Sequence, residues 1–217
     1  DCHPRQIANI VHGVAKCGLR GGVQANVRHL FAAVAETTLR RGLHDFNPQD
    51  LANTVWAYAT AGVQAEALYA AVADAAVRRG LHDFNPQDLA NTVWAYATAG
   101  VQAEALYVAV AEVAVRRGLH DFNAQNLASM VWGYAKAGVQ EEALYVAVAE
   151  EAAVRRGLHD FDPQALAMMV WTYATAGVQA KALYAAVAEA AVRRGLHDFK
   201  PQELANMVWA YATAGVQ

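Results

Sequence analysis

Two short motifs recur five times each and carry the side chains most able to do chemistry. Arginine pairs stand at Arg40-Arg41, Arg78-Arg79, Arg116-Arg117, Arg155-Arg156 and Arg193-Arg194. Each opens an "RRGLHDF" segment whose histidine and aspartate are neighbours: His44, His82, His120, His159 and His197 precede Asp45, Asp83, Asp121, Asp160 and Asp198. An imidazole beside a carboxylate is an acid–base or metal-ligating couple. Copies one repeat apart, however, are separated by roughly 10 Å if their helices pack normally. That is too far to share a metal, and no cysteine or serine nucleophile accompanies them, so the pairs read as linkers. No phosphate loop, nucleophile elbow or paired-carboxylate constellation occurs, and neither an enzyme nor a cofactor is expected. The arginines have two readings. A ladder of cations can track a phosphate backbone. The same residues at helix C-termini also offset the helix dipole and pair with the aspartates that follow. Adjacent helical residues point about 100° apart, so both members of a pair do not face one groove.

The elements that must hold these residues are legible from the repeat. "RRGLHDFNPQDLANTVWAYATAGV", Arg40 to Val63, returns unchanged from Arg78 to Val101 and in degraded form from Arg116, Arg155 and Arg193. Repeats begin at His3 (diverged), Asn47, Asn85, Asn123, Asp162 and Lys200. The units are 3–46, 47–84, 85–122, 123–161, 162–199 and a half unit, 200–217, of a single helical-repeat array spanning 1–217. Asn47 is an N-cap, Pro48 suits the first turn, Asp50 occupies the capping-box position, and Gly62 suits a left-handed C-cap. A second helix is predicted from about Ala65 to Arg79. Each unit is then helix, turn, helix, turn. Such pairs cannot bury their apolar faces alone and must stack, so the fold class is all-α: an α-solenoid of helix-turn-helix repeats of about 38 residues. The first unit is longer, and Gly18 to Asn26 is expected to form an extended inter-helix loop. An added residue at Glu150-Glu151 is expected as a local bulge or at the helix end. No polar capping repeat closes either end, so self-association through the ends is expected.

Composition limits the function. The 217 residues are 56% hydrophobic and 17% charged, with net charge −3. That balance gives no general pull toward nucleic acid. Cys2 and Cys17 flank the first predicted helix, roughly 22 Å apart, and cannot bridge; a reducing compartment is expected. No apolar run is long enough to span a membrane, and no targeting segment is visible. The chain begins at Asp1 and reads as a piece of something longer.

The copies can be compared with one another. The classes of Leu51, Ala52, Val55, Trp56, Tyr58 and Ala59 scarcely change and read as core. These include the ladder Trp56, Trp94, Trp132, Trp171 and Trp209, for which His12 stands in the first copy. Four positions after each repeat start do change. The third is Gln6, Asp50, Asp88, Asn126, Ala165, Glu203; the sixth is Asn9, Asn53, Asn91, Ser129, Met168, Asn206. The seventh is Ile10, Thr54, Thr92, Met130, Met169, Met207; the tenth is Gly13, Ala57, Ala95, Gly133, Thr172, Ala210. These offsets fall on one helical stripe. Variation on one face over a constant scaffold is what a modular reader requires. Drift on a solvated face, with capping at the third position, is the alternative.

At "NPQDLANTVWAYATAG" the sequence resembles the octotricopeptide repeat family, which is akin to the repeats of FAST-kinase-like and RAP-domain proteins. The resemblance covers nearly the whole chain. It implies a right-handed superhelix and sequence-specific binding of single-stranded RNA in chloroplasts or mitochondria, in transcript stability, splicing, trimming or translation. One repeat would address about one nucleotide through polar residues near the start of its first helix. In this chain those are Gln6, Asn9, Asp50, Asn53, Thr54, Asp88, Asn91, Thr92, Asn126, Ser129, Met130, Ala165, Met168, Glu203 and Asn206, with the arginine pairs as phosphate contacts. Ala165 and Met168 depart from that pattern, and nothing like a RAP domain occurs within these 217 residues. The rival reading is a protein-interaction scaffold of the tetratricopeptide type.

Overall fold

The computed structural model describes residues 3–17 and 24–216, and it is all helical apart from short links. Eleven α-helices occur among these residues. The first helices of the repeats are α1 (Pro4–Lys16), α3 (Pro48–Ala61), α5 (Pro86–Ala99), α7 (Ala124–Ala137), α9 (Pro163–Ala176) and α11 (Pro201–Ala214). The second helices are α2 (Gln24–Arg41), α4 (Glu66–Arg79), α6 (Glu104–Arg117), α8 (Glu142–Glu150, continued by a π-turn, Glu151–Arg156) and α10 (Lys181–Arg194). Most of the loop expected from Gly18 to Asn26 lies outside the described residues, as does Cys2; Cys17 is exposed and free. Among the described residues no helix is long and apolar enough to cross a membrane.

The helix ends form as local chemistry dictates. The Asn47 side chain accepts from the Asp50 amide at 2.8 Å, and the Asp50 carboxylate accepts from the Asn47 amide at 3.3 Å. The same reciprocal box starts α5 and α7; at α11 only its return half forms, the Lys200 amide donating to the Glu203 carboxylate at 2.8 Å. Gly62, at φ 62° and ψ 31°, ends α3. Its amide donates to the Ala59 carbonyl, and that of Val63 to the Tyr58 carbonyl. This Schellman pair needs the left-handed conformation that glycine adopts without cost.

The chain packs as two compact units, Asp1–Val110 and Ala111–Gln217. In the first, α1 packs on α3 and α3 on α5, while α2 packs on α4. In the second, α7 packs on α9 and α9 on α11, with α10 against α8 and its π-turn. Each unit is thus a stack of helical hairpins in a solenoid-like, two-layer arrangement. Tyrosines join the layers. The Tyr96 hydroxyl, from a first helix, donates to the Tyr69 carbonyl of the preceding second helix at 2.7 Å. In the second unit Tyr173 does so to Tyr145, and Tyr211 to Tyr184, at 2.7 Å each. Burying each ring contributes ~1.5–3 kcal/mol, and each phenol satisfies its polar tip on backbone. Burial pushes the Tyr184 and Tyr211 phenols up to about 12, the second helped by the neighbouring Tyr184.

The residue added at Glu150-Glu151 is accommodated by the π-turn. Glu151 is buried there, 3.8 Å from Arg155 and 3.7 Å from Arg156. A π-turn takes up one extra residue without rotating the rest of the helix out of register.

Candidate nucleic-acid interface

A first helix in mid-stack has first helices on both flanks and its own second helix behind it, which leaves only a narrow arc open. In both units that arc carries the second, sixth, ninth and thirteenth residues after the repeat start. Gln49, Gln87, Gln125, Gln164 and Gln202 are exposed at the second position. Asn53, Asn91, Ser129, Met168 and Asn206 are half-buried at the sixth. The spacing of four puts these two on one line: Gln202 Nε2 donates to Asn206 Oδ1 at 2.9 Å.

The stripe expected from sequence therefore divides. In the five later copies its sixth position lies at the surface, and its third, seventh and tenth turn into the packing. Asp50, Asp88, Asn126, Ala165 and Glu203 are buried at the cap. Burial raises the carboxyl of Asp88 above its usual range, partly opposed by the backbone hydrogen bond at Asn85. Thr54 and Thr92 are buried and donate to their own helix, at the Asp50 and Asp88 carbonyls, 2.7 Å each. Met130, Met169 and Met207 are buried as well, as are Ala57, Ala95, Gly133, Thr172 and Ala210, whereas Ile10 and Gly13 of the first copy are exposed. In the diverged first copy Gln6 and Asn9 are exposed, and the Gln6 side chain accepts from the His3 amide at 2.9 Å.

The tryptophans, expected in the core, stand instead at the open arc. Trp56, Trp94, Trp132 and Trp171 are half-buried and Trp209 is 47% exposed. Within the first unit the Trp56 and Trp94 rings are 6.3 Å apart and inclined by 32°. Within the second, Trp171 and Trp209 are 6.4 Å apart and inclined by 36°. His12 extends the first column, 4.8 Å from Trp56.

In the second unit the arc opens into two grooves in register with the repeat. The groove between α7 and α9 has a volume of about 410 Å³ and is lined by Gln125, Ser129, Asp160, Asp162, Gln164 and Met168, among others. The groove between α9 and α11 is about 460 Å³. Its walls include Trp132, Trp171, Met168, Gln202, Asn206 and the cation Lys200.

Each arginine pair separates into two environments. The second members reach back to the preceding link: Arg79 donates to the Phe46 carbonyl at 2.9 Å and Arg194 to the Phe161 carbonyl at 2.7 Å. Arg156, displaced by the π-turn, donates to the His120 carbonyl at 2.8 Å. Arg41, Arg79 and Arg156 also pair with the link aspartates Asp45, Asp83 and Asp160. Arg117 is half-buried. The first members, Arg40, Arg78, Arg116, Arg155 and Arg193, are 65–77% exposed, each within 4 Å of a carboxylate on its own helix. Arg78 borders a hollow between α2 and α4, in the second-helix layer. The link histidines His44, His82, His120 and His197 lie 3.3–3.7 Å from their neighbouring aspartates and are exposed. Among the described residues no three His, Cys, Asp or Glu side chains converge on a metal position.

The glutamine common to the five later copies, for which Arg5 stands in the first, and the exposure of the tryptophans were not read from sequence. Their signal was present, because offsets of two, six, nine and thirteen form one helical stripe with the variable sixth residue. Constancy between copies hid it, since a constant position reads as core.

Residues 21–137 match the family model described as "Tbc2 translation factor, N-terminal domain", and residues 183–208 match a protein family of unknown function, DUF1601. No curated protein matches the chain.

Proposed function

The chain belongs to the Tbc2 translation factor N-terminal domain family, and on that premise we propose that this helical-repeat module binds single-stranded RNA along the open arc of its first helices. One residue per repeat carries the reading. The sixth position exchanges Asn53 and Asn91 for Ser129, then Met168, then Asn206, between a constant glutamine and a constant tryptophan. A base splayed from a single strand offers its Watson–Crick edge to such side chains, one repeat per nucleotide. Lys200 meets a phosphate from the wall of the α9–α11 groove. The exposed Arg40, Arg78, Arg116 and Arg193 supply further cations, since release from an exposed carboxylate costs ~1 kcal/mol or less; Arg155, which also pairs with buried Glu151, is the fifth candidate. The module has no catalytic step of its own. Family and the resemblance to octotricopeptide repeats support a role in translation or transcript processing in a chloroplast or mitochondrion.

The test is selection of bound RNA from a random single-stranded pool at low and moderate salt. A short enriched motif is expected, and Ser129→Asn should change one letter of it. The net charge of −3, with Asp160 and Asp162 beside the α7–α9 groove, favours the second reading, a scaffold for a basic peptide. An unenriched RNA pool, together with capture from a peptide library that the same groove substitutions abolish, would establish that reading instead.

A further inference from the structure

We propose that the tryptophan column is the stacking surface of this interface: indole faces at the ninth position take the bases, and amides at the second and sixth read their edges. This inference rests on the RNA reading above and adds a division of labour to it. Affinity comes from residues that do not vary between repeats, and selectivity from one that does.

Three observations carry it. The tryptophans are the largest side chains on the open arc, and Trp209 is 47% exposed. A ring needed only for packing is better placed inward, where Leu51, Val55 and Tyr58 are essentially buried. Second, neighbouring rings are 6.3 Å and 6.4 Å apart in the two units, inclined by 32° and 36°. The rings meet at an angle rather than face to face, and with Trp56, Trp94 and Trp171 half-buried and Trp209 exposed, part of each indole stands at the surface. Third, the groove bounded by Trp132 and Trp171 also presents Gln164, Gln202, Asn206 and Lys200. A nucleotide offers a flat face, a hydrogen-bonding edge and an anion, and these walls offer a counterpart to each. Stacking of bases on aromatic side chains is tolerant of sequence, which accounts for a stacking residue that is the same in every later copy.

The experiment uses the whole chain, whose five tryptophans all stand on the open arcs of the two units, so indole emission excited apart from the nine tyrosines reports on those arcs. Fluorescein-labelled oligouridine and oligoadenine are titrated in while anisotropy and indole emission are followed together. Binding is expected to quench emission at the same midpoint as the anisotropy rise. Trp94→Leu and Trp171→Leu should each weaken binding about five- to hundred-fold for both oligomers. Trp94→Tyr should recover most of the loss. Trp209→Leu, at the most exposed site, serves as a variant whose folding is least at risk, with unchanged circular dichroism and several-fold weaker binding expected. A rise in anisotropy with emission unchanged, or full affinity in folded Trp-to-Leu variants, overturns the stacking role and leaves the RNA reading standing. No binding of either oligomer and no motif from the random pool overturns both. So does a basic peptide that quenches the indoles when RNA does not.

Discussion

His12 is the titratable group in contact with the tryptophan column of the first unit, and its imidazole Nδ1 is buried without a hydrogen-bond partner. Burial, and secondarily the charge of Lys16, hold its pKa below the ordinary 6.5. The unfolded chain therefore takes up a proton at a pH where the folded chain does not. Stability is intact above 6.5 and declines as pH falls from there toward the lowered value. Acidification through this window is expected to speed amide hydrogen exchange in α1 before the other helices. His12→Trp, which restores the residue of the later copies, should abolish that acid sensitivity. Equal acid sensitivity in the variant would place its cause elsewhere.

Among the elements, α8 with its π-turn is the departure from the repeat. Glu151 is a buried carboxylate held by two arginines, and a buried ion pair seldom returns its desolvation cost in full. The insertion also moves Arg156 from the position that Arg79 and Arg194 occupy on a phenylalanine carbonyl to the carbonyl of His120. Deleting Glu151 restores the 33-residue separation from Phe122 that Arg79 has from Phe46. The deletion is expected to convert the π-turn to α-helix and raise the Tm in a thermal melt followed by circular dichroism. A lower Tm would show that the Glu151 network stabilises more than the regular helix does. The helix starts and stops were legible in the sequence because caps, prolines and glycines act on backbone within a few residues. Which face opens to solvent was not. Thr54 and Ala57 are small because neighbouring helices approach them closely, whereas in sequence small or polar reads as solvated. Asp50, Asn126 and Glu203 differ because several side chains can accept at a cap. Ala165 cannot, and its cap keeps only the forward half of the box, the Asp162 side chain accepting from the Ala165 amide at 2.7 Å.

For the whole molecule, the low net charge makes salt dependence the informative quantity. If phosphates are met in the proposed way, log affinity for single-stranded RNA falls with log salt by about 0.7 per contact. Lys200→Ala and Arg193→Ala are each expected to lower that slope by about this amount, and Arg193→Ala to leave the Tm unchanged, as the Glu189 that Arg193 pairs with is exposed. Arg194→Ala removes a charged hydrogen bond to the Phe161 carbonyl and should lower the Tm instead, with the slope retained. Slope and melting temperature measured on the three variants separate binding cations from structural ones.

The tyrosine ties have a consequence for how such an array keeps its pitch. Twenty-seven residues separate Tyr96 from Tyr69, and Tyr211 from Tyr184, whereas twenty-eight separate Tyr173 from Tyr145; the hydroxyl-to-carbonyl distance is 2.7 Å in all three. The divisions of this ruler are marked by phenols, and the length of chain between two marks is free to vary. Repeat proteins of this kind can therefore gain or lose a residue inside a second helix and still present their next reading position at the same step. A fixed period slips by one at such an insertion, while the tie from hydroxyl to carbonyl does not.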